Sequence, residues 1–330
     1  MRPWIAALAF CTPLPAIAAC DVVPDPVISL SFDSRYAADD PSRSEIDIEA
    51  EAAAKEALAD LDDFITYLTT RTDAAVGAGD RDAANCVMAA MATWARAEAL
   101  SDLGSQTAQL TIGSRLAALA LVAAQVAPAA PVEDTSVVSA WLGRRMDSQM
   151  AFWETAPGGA ASGNLRAWAA LAGAATSLLT QDPVTRGWAG WSLGYVACTA
   201  SQDGSLPQEM QRKQLALHYQ VHAVTPMVVA AALLEQQGVP VMNRCERALD
   251  RIVDFTLKDL AAGGAASAAY AGAPQTLDAG VEGLKDFQLA WAESWLSLRA
   301  NPELEALVAP RRPLRYSKLG GNQTRLWNAR

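Results

Sequence analysis

The sequence predicts an all-α fold, an incomplete (α/α) toroid built from antiparallel helical hairpins. Apolar residues recur at three- and four-residue spacing along about ten stretches, and no strand pattern exceeds a few residues. The linkers between these stretches are short and rich in Gly, Pro and Ser, which favours successive hairpins. No repeat at a fixed period is found, which disfavours the alternative of a stacked solenoid.

The predicted helices all show an apolar face. In chain order they cover Ile46–Thr70, Arg81–Asp102, Ile112–Val126, Thr135–Thr155, Leu165–Leu179, Pro183–Ala200, Leu206–Gln237, Asn243–Leu260, Leu284–Arg299 and Pro302–Val308. Two of them begin with residues typical of helix N-termini, Asp182–Pro183 and Asn243. These local signals predict where the two helices start.

The N-terminus indicates an exported protein. Arg2 precedes a largely apolar stretch, and Ala16-Ile17-Ala18 matches a cleavage pattern, so we expect a signal peptide at residues 1–19 and a single domain at residues 20–330. The expected location is periplasmic or secreted. An alternative is a lipoprotein, because Ile17 to Cys20 resembles a lipoprotein box and Cys20 would then carry lipid. No later segment is long and apolar enough to predict a transmembrane helix.

Four cysteines remain after the signal peptide, and they allow three pairings. We favour Cys20 with Cys86 and Cys198 with Cys245. The alternative is that Cys86 and Cys198 are buried thiols on apolar helix faces. No C-x-x-C pair occurs, so a structural zinc site is not expected.

The formal net charge of −10 argues against nucleic acid as a partner. An anionic sugar polymer requires a local basic groove in this acidic protein. The basic residues available for such a groove are Arg35, Arg166, Arg212 and Lys213. The prediction of a polyanionic substrate therefore depends on their convergence.

Arg212 and Tyr219 form the most informative pair. They lie seven residues apart in the run from Gly204 to Tyr219, so a single helix would present both on one face. An arginine can neutralise a carboxylate with its planar set of donors, and a nearby cation favours an ionised tyrosine. This pair suits eliminative cleavage of a uronic-acid polysaccharide. The alternative is that Tyr219 only packs, with its hydroxyl hydrogen-bonded.

The two histidines flank this tyrosine. His222 shares its face, and we weigh a groove role equally against packing, whereas His218 is expected to be structural. Their spacing suits zinc, but no third ligand is visible, so no metal site is predicted. Asn164 follows a glycine-rich loop and is expected either to cap a helix or to hold a carboxylate.

Tryptophan is frequent, with ten residues, and most are expected in the core. Trp168, Trp291 and Trp295 are candidates for a groove, because aromatic rings pair with sugar faces. A glycoside hydrolase with paired carboxylates is a further alternative, for which Glu209, Glu293 and Asp203 are the candidate acids.

Several segments together resemble the alginate lyase family of polysaccharide lyases, helical-toroid enzymes that prefer polymannuronate. They are Asp33-Ser34-Arg35-Tyr36 with Asp40, Asn85-Cys86-Val87 through Trp94-Ala95-Arg96-Ala97, Gly204 through Tyr219 with Pro226, Ala290-Trp291-Ala292-Glu293, and Leu319-Gly320-Gly321 with Thr324-Arg325. Each motif alone is weak, but their common order along most of the mature chain is specific.

The resemblance implies a role for several residues. Tyr219 would be the catalytic base and acid, and Arg212 and Asn164 would neutralise the substrate carboxylate. The implied substrate-binding residues also include Arg35 and Gln106. Together with Arg166, Trp168, His222 and Trp291, these complete the candidate substrate-binding set.

The sequence departs from the family at Leu165, where the family motif has a histidine. Leucine neither neutralises a carboxylate nor moves protons. Either Arg166 or His222 supplies the missing function, or the substrate differs, or activity is lost. Related glucuronan lyases make a changed substrate a reasonable alternative.

The sequence thus predicts a monomeric lyase that cleaves β-1,4-linked D-uronans, chiefly mannuronate-rich alginate, by syn β-elimination without a cofactor. In this geometry the C5 proton and O4 lie on the same side of the ring, so one residue serves as base and then as acid. The alternatives are a glucuronan lyase, or a catalytically inactive uronan-binding or export protein.

Overall fold

The computed structural model describes residues 20–328, so the expected signal peptide lies outside the described residues. The described chain is mostly helical. Its α-helices are α1 Ile48–Ala57, α2 Ala59–Ala78, α3 Arg81–Arg96, α4 Gln106–Thr111, α5 Gly113–Val126, α6 Val132–Trp153, α7 Gly158–Ala161, α8 Asn164–Thr180, α9 Pro183–Ala197, α10 Pro207–Met210, α11 Ala216–Gln236, α12 Arg244–Ala261, α13 Ala265–Ala271, α14 Ala292–Leu298, α15 Pro302–Val308 and α16 Gln323–Asn328.

Four two-residue strands form two small sheets. Strand β1, Ser29–Leu30, pairs in parallel with β2, Asp102–Leu103. Strand β3, Arg315–Tyr316, pairs antiparallel with β4, Gly321–Asn322. Each has only two residues, so the fold class is all-α, as predicted.

The helices pack as an incomplete α/α toroid, which confirms the predicted architecture. Helix α8 lies at its centre and contacts α5, α6, α9 and α11. Residues such as Ala167, Ala170 and Ala174 are fully buried, and their small side chains allow close approach. A Cβ on Gly113 would lie 2.8 Å from the backbone nitrogen of Ala169, so α5 approaches α8 where only glycine fits.

The main hydrophobic core contains buried residues from most of the described chain, from Leu30 in the N-terminal segment to Trp327 in α16. Trp94 stacks on Phe64 at a centroid distance of 4.0 Å, and the buried Trp141 donates from Nε1 to the carbonyl of Ala99. Seven of the nine described tryptophans are buried, which confirms that most of them are core residues.

Helix boundaries follow the local sequence signals at some termini and depart from them at others. The Asp182 carboxylate accepts hydrogen bonds from the backbone N–H groups of Val184 and Thr185, which confirms the predicted start of α9. Asn243 precedes α12 but makes no side-chain capping bond. Within the predicted helix at 284–299, only α14 is α-helical. A 3₁₀ turn occupies residues 286–289, and another at 280–283 precedes it.

The prediction of a single helix over Leu206–Gln237 is wrong for the N-terminal part of that range. Short α10 ends at Met210, a 3₁₀ turn covers Lys213–Leu215, and α11 starts only at Ala216. Lys213 has a φ of +43°, which interrupts the helix. Bonds from distant residues hold this segment, since Gln214 donates to the carbonyl of Ser44 and Gln275 donates to the carbonyl of Lys213.

Both favoured disulfides, Cys20–Cys86 and Cys198–Cys245, are present, which confirms the pairing. The alternative of a lipid on Cys20 disagrees with the structure, because its sulfur is bonded to Cys86. In the described part of the chain, one helical stretch has the length and apolarity of a membrane span, namely the 3₁₀ turn at Lys213–Leu215 together with α11. Its most apolar segment is 89% buried inside the protein.

Trp291 and Trp295 belong to the core, which corrects their prediction as groove residues. Trp291 is fully buried and Trp295 is 3% exposed, and neither lines the cleft that holds Tyr219. The neighbouring Glu293 carboxylate is also buried. It accepts hydrogen bonds from Arg312 at 2.8 and 2.9 Å, and further bonds from Thr324 and Asn328. Glu293 therefore joins the C-terminal segment to α14.

Replacing Arg312 with alanine should destabilise the fold strongly, because it leaves the Glu293 carboxylate buried without its cation. We expect a loss of about 3–5 kcal/mol in the free energy of unfolding, measured by urea denaturation. The control is Arg315→Ala, since Arg315 is 57% exposed and pairs with Asp73 at the surface. It should cost about 0–1 kcal/mol. Equal losses in the two variants would contradict this account of Glu293.

Candidate functional site

A cleft of about 390 Å³ opens beside the N-terminal half of α11. Its walls come from the segment around residues 32–36, from α4, α5 and α8, and from the C-terminal Lys318. The polar lining includes Ser34, Arg35, Tyr36, Arg43, Thr107, Thr111, Ser114, Arg115, Asn164, Arg212, His218, Tyr219, His222 and Lys318. A second concavity shares Arg43, Leu110, Asn164, Leu165 and Arg212 with it, so the groove continues past these residues.

Tyr219 lies on the first turn of α11 and is 7% exposed. Its hydroxyl accepts a hydrogen bond from Nη2 of Arg35 at 3.1 Å. The Arg212 guanidinium carbon lies 3.8 Å from the centre of the Tyr219 ring. Two cations thus contact one phenol at the cleft, which favours negative charge on its oxygen.

Arg212 reaches Tyr219 from outside α11, because the backbone between them is not a continuous helix. The predicted proximity of Arg212 and Tyr219 is present, but its cause is tertiary stacking and not a shared helix face. Nη2 of Arg212 donates to the carbonyl of Arg43 at 2.7 Å, and its Nε is buried without a partner. Within residues 20–328, no carboxylate forms an ion pair with Arg212, so the guanidinium is free to bind an anion.

Asn164 is the first residue of α8, not its cap, because Gly163 occupies the cap position. The Glu209 carboxylate bonds Asn164 twice, accepting from the backbone N–H at 2.7 Å and from Nδ2 at 3.0 Å. Burial raises the pKa of Glu209 to about 7, although both hydrogen bonds oppose this shift. Glu209 therefore fixes the amide of Asn164 against the cleft wall.

His222 and Trp168 form a buried polar contact in the cleft. Nε1 of Trp168 donates to Nε2 of His222 at 3.0 Å. Burial, with smaller contributions from nearby cations and His218, lowers the pKa of His222 to about 3, so its imidazole is neutral. Burial also lowers the pKa of His218. Both histidines line the cleft, including His218, for which a structural role is expected.

The basic residues predicted to converge do so only in part. Arg35 and Arg212 meet at Tyr219. Arg166 instead lies 4.5 Å from the ring of Trp191 and donates to Ser192. Lys213 forms ion pairs with Asp40 and Glu45. Their placement corrects the prediction that all four arginine and lysine residues form one groove.

Two other predicted substrate-binding residues also lie outside the cleft lining. Gln106 is exposed at the start of α4, next to the lining residue Thr107. Trp291 is in the core, as described above. Trp168 does line the cleft, although only 2% of it is exposed.

Sequence reasoning missed three cations of the cleft, Lys318, Arg115 and Arg43. Arg115 is held by two hydrogen bonds to Asp62. Burial, with a smaller contribution from Arg115, lowers the pKa of Lys318 to about 8. Lys318 directly precedes the Leu319-Gly320-Gly321 motif, which was the available signal. Arg115 lies on an apolar helix that carried no such signal.

The acids considered for a hydrolase are engaged in structural contacts. Glu209 bonds Asn164, and Glu293 bonds Arg312. Asp203 accepts hydrogen bonds from Ser205 and Tyr270 beside a separate surface depression. No two of these three carboxylates face each other across the cleft, so the arrangement does not favour glycoside hydrolysis.

The raised pKa of Glu209 predicts a pH dependence of stability. Between its usual value of 4.5 and about 7, the folded state holds a proton that the unfolded chain has lost, so this contribution to stability declines as pH rises. The variant Glu209→Gln cannot titrate. Urea denaturation across this range should show a free energy of unfolding that falls with rising pH in the original chain, and this fall should be smaller in the variant. Parallel pH profiles for the two would contradict the assignment.

Comparison with known proteins agrees with this geometry. The family model described as alginate lyase matches residues 33–266. Alginate lyase of Pseudomonas syringae pv. tomato is 26% identical over 318 residues, covering 94% of this chain and 83% of that protein. Alginate lyase of Pseudomonas aeruginosa strain LESB58 is 27% identical over 319 residues, covering 94% and 85%.

Solved structures share the fold. Alginate lyase A1-III from Sphingomonas species A1 superimposes with a TM-score of 0.77 at 20% identity, covering 93% of this chain and 86% of that one. A variant of alginate lyase A1-III complexed with tetrasaccharide gives a TM-score of 0.81 at 20% identity, covering 96% and 88%. Since the family model matches more than half of the sequence, this chain belongs to the alginate lyase family.

Proposed function

We propose that this protein is an exported polysaccharide lyase that cleaves mannuronate-rich alginate by syn β-elimination. The observation that carries the proposal is the position of Tyr219, whose hydroxyl lies at the cleft in contact with Arg35 while Arg212 covers its ring. Membership of the alginate lyase family, and the tetrasaccharide bound to a structural relative, support an acidic sugar chain as the substrate.

The chemistry follows from the weak acidity of the C5 proton. Removing it generates an enediolate, so the substrate carboxylate must be neutralised where the charge develops. Arg212 carries no ion pair among the described residues, and Asn164 presents an amide held by Glu209, so both suit that carboxylate. Arg35 donates to the Tyr219 oxygen and stabilises the phenolate that accepts the proton.

Tyr219 then acts twice on one face of the sugar. As phenolate it accepts the C5 proton, and as phenol it returns a proton to O4 when the C4–O4 bond breaks. The products are a new reducing end and a chain that begins with a C4–C5 unsaturated uronate. Glu209 does not serve as a second acid, since its carboxylate is bonded to Asn164.

A glucuronan lyase is the second candidate, favoured by one observation. Leu165 lies in the cleft lining next to Asn164, at the position where the resemblance implies a histidine. Mannuronate and glucuronate differ at C2, so an altered wall accommodates a changed substrate with the same syn chemistry. The choice between them is one of specificity.

A substrate panel tests the proposal directly. The mature protein is incubated with polymannuronate, polyguluronate and glucuronan while the ultraviolet absorbance of the unsaturated product is recorded. We expect the fastest rise with polymannuronate. Reducing ends without absorbance would indicate a hydrolase, and polymer binding without either signal would indicate a binding protein. Either result would overturn the proposed activity.

Tyr219→Phe should lower kcat by about 10³-fold or more while leaving polymer affinity close to that of the original chain, because the ring still packs against Arg212 but no proton is transferred. Tyr270→Phe is the matched control, since Tyr270 is 54% exposed and bonds Asp203 away from the cleft. It should keep normal kcat. Near-normal turnover of Tyr219→Phe would remove this tyrosine from the mechanism.

A further inference from the structure

The wall of α8 offers little neutralisation beyond Asn164. Leu165 lines the cleft but has no polar atom. Arg166, the next residue, is 3% exposed and points to Ser192, with its guanidinium carbon 4.5 Å from the Trp191 ring and 4.7 Å from the Tyr195 ring. Arg166 therefore does not replace a polar group at position 165.

His222 is the remaining candidate, and its hydrogen bond to Trp168 determines which ring nitrogen carries the proton. An indole N–H is only a donor, so Nε2 of His222 is the acceptor at 3.0 Å. A neutral imidazole has one acceptor and one donor nitrogen, so the proton lies on Nδ1. Trp168 thus fixes a single tautomer.

Nδ1 of His222 is available to a ligand. Within the described residues no hydrogen bond to this atom is found, and it is not among the buried polar atoms that lack a partner. The ring lines the cleft and makes an edge contact with Tyr219, with centroids 6.0 Å apart. A donor is therefore present one helical turn from the phenol.

A neutral donor suits this place better than a charged one. Arg35, Arg212, Lys318 and His218 all disfavour a proton charge on His222, and burial does so most strongly. A neutral N–H still donates to a carboxylate without repelling these groups.

We propose that His222 is a catalytic residue that donates from Nδ1 to the uronate carboxylate, and that Trp168 is the positioning residue that keeps the proton there. This inference rests on the proposed function. When the C5–H bond breaks, the proton passes to the Tyr219 oxygen and the electron pair enters the enediolate. When the C4–O4 bond breaks, a C4–C5 double bond forms and O4 takes the proton from Tyr219. His222 keeps its own proton in both steps.

Two amide substitutions separate the ring nitrogens. His222→Asn retains an N–H near the Nδ1 position, whereas His222→Gln places its amide near Nε2. We expect kcat/KM to fall about 10²-fold in His222→Gln and within about tenfold in His222→Asn. Equal rates for both variants and the original chain would overturn the role of His222 while leaving the lyase proposal intact.

Trp168→Phe tests the positioning role, and Trp188→Phe is its matched control. Trp188 lies on the neighbouring α9 and its buried Nε1 has no hydrogen-bond partner, so the same substitution there removes no hydrogen bond. We expect a drop in kcat/KM only for Trp168→Phe, of about tenfold or more. Equal effects in the two variants would contradict the positioning role.

The tautomer of His222 can be measured without an activity assay. The chain has two histidines, so nitrogen-15 NMR of the untagged mature protein resolves their ring nitrogens. We expect His222 protonated on Nδ1 in the original chain and a mixture of tautomers in Trp168→Phe. A proton on Nε2 of His222 would overturn the inference. Absence of lyase activity with the expected tautomer would instead overturn the proposed function.

Discussion

The buried carboxylate of Glu209 is the contact on which the site depends. It belongs to a four-residue helix that ends just before Arg212, and it bonds both the first N–H and the side-chain amide of Asn164. One residue thus connects the two segments that carry the groups suited to a substrate carboxylate. Because the carboxylate is fully buried, loss of either partner bond would leave a costly unsatisfied group, which keeps the geometry precise.

The cleft is lined by cations, although the protein as a whole is negatively charged. The chain carries a net charge of −10, yet Arg35, Arg212 and Lys318 all face the same cleft. Arg35 also pairs with Glu51 there, whereas arginines elsewhere are neutralised by ion pairs, such as Arg312 with Glu293. Local arrangement and not composition therefore generates a positive groove in an acidic protein.

Two helices contribute unequal chemistry to the cleft. Leu165 of α8 has no polar atom, whereas His222 of α11 has a neutral imidazole that we propose as the donor to the substrate. The two positions lie on different helices and contact the same space.

The sequence by itself determined what depends on neighbouring residues: the helical class, several helix boundaries, the Asp182 cap and the candidate pair Arg212 and Tyr219. Periodicity and capping act over a few residues, so a linear pattern contains them. Tertiary structure decided the break before α11, the direction of the buried Arg166 away from the cleft, the burial of Trp291 and the entry of Lys318 into the cleft. These features depend on contacts between residues far apart in the chain, such as Gln214 with Ser44. The local spacing of residues does not indicate which distant residue will be the partner.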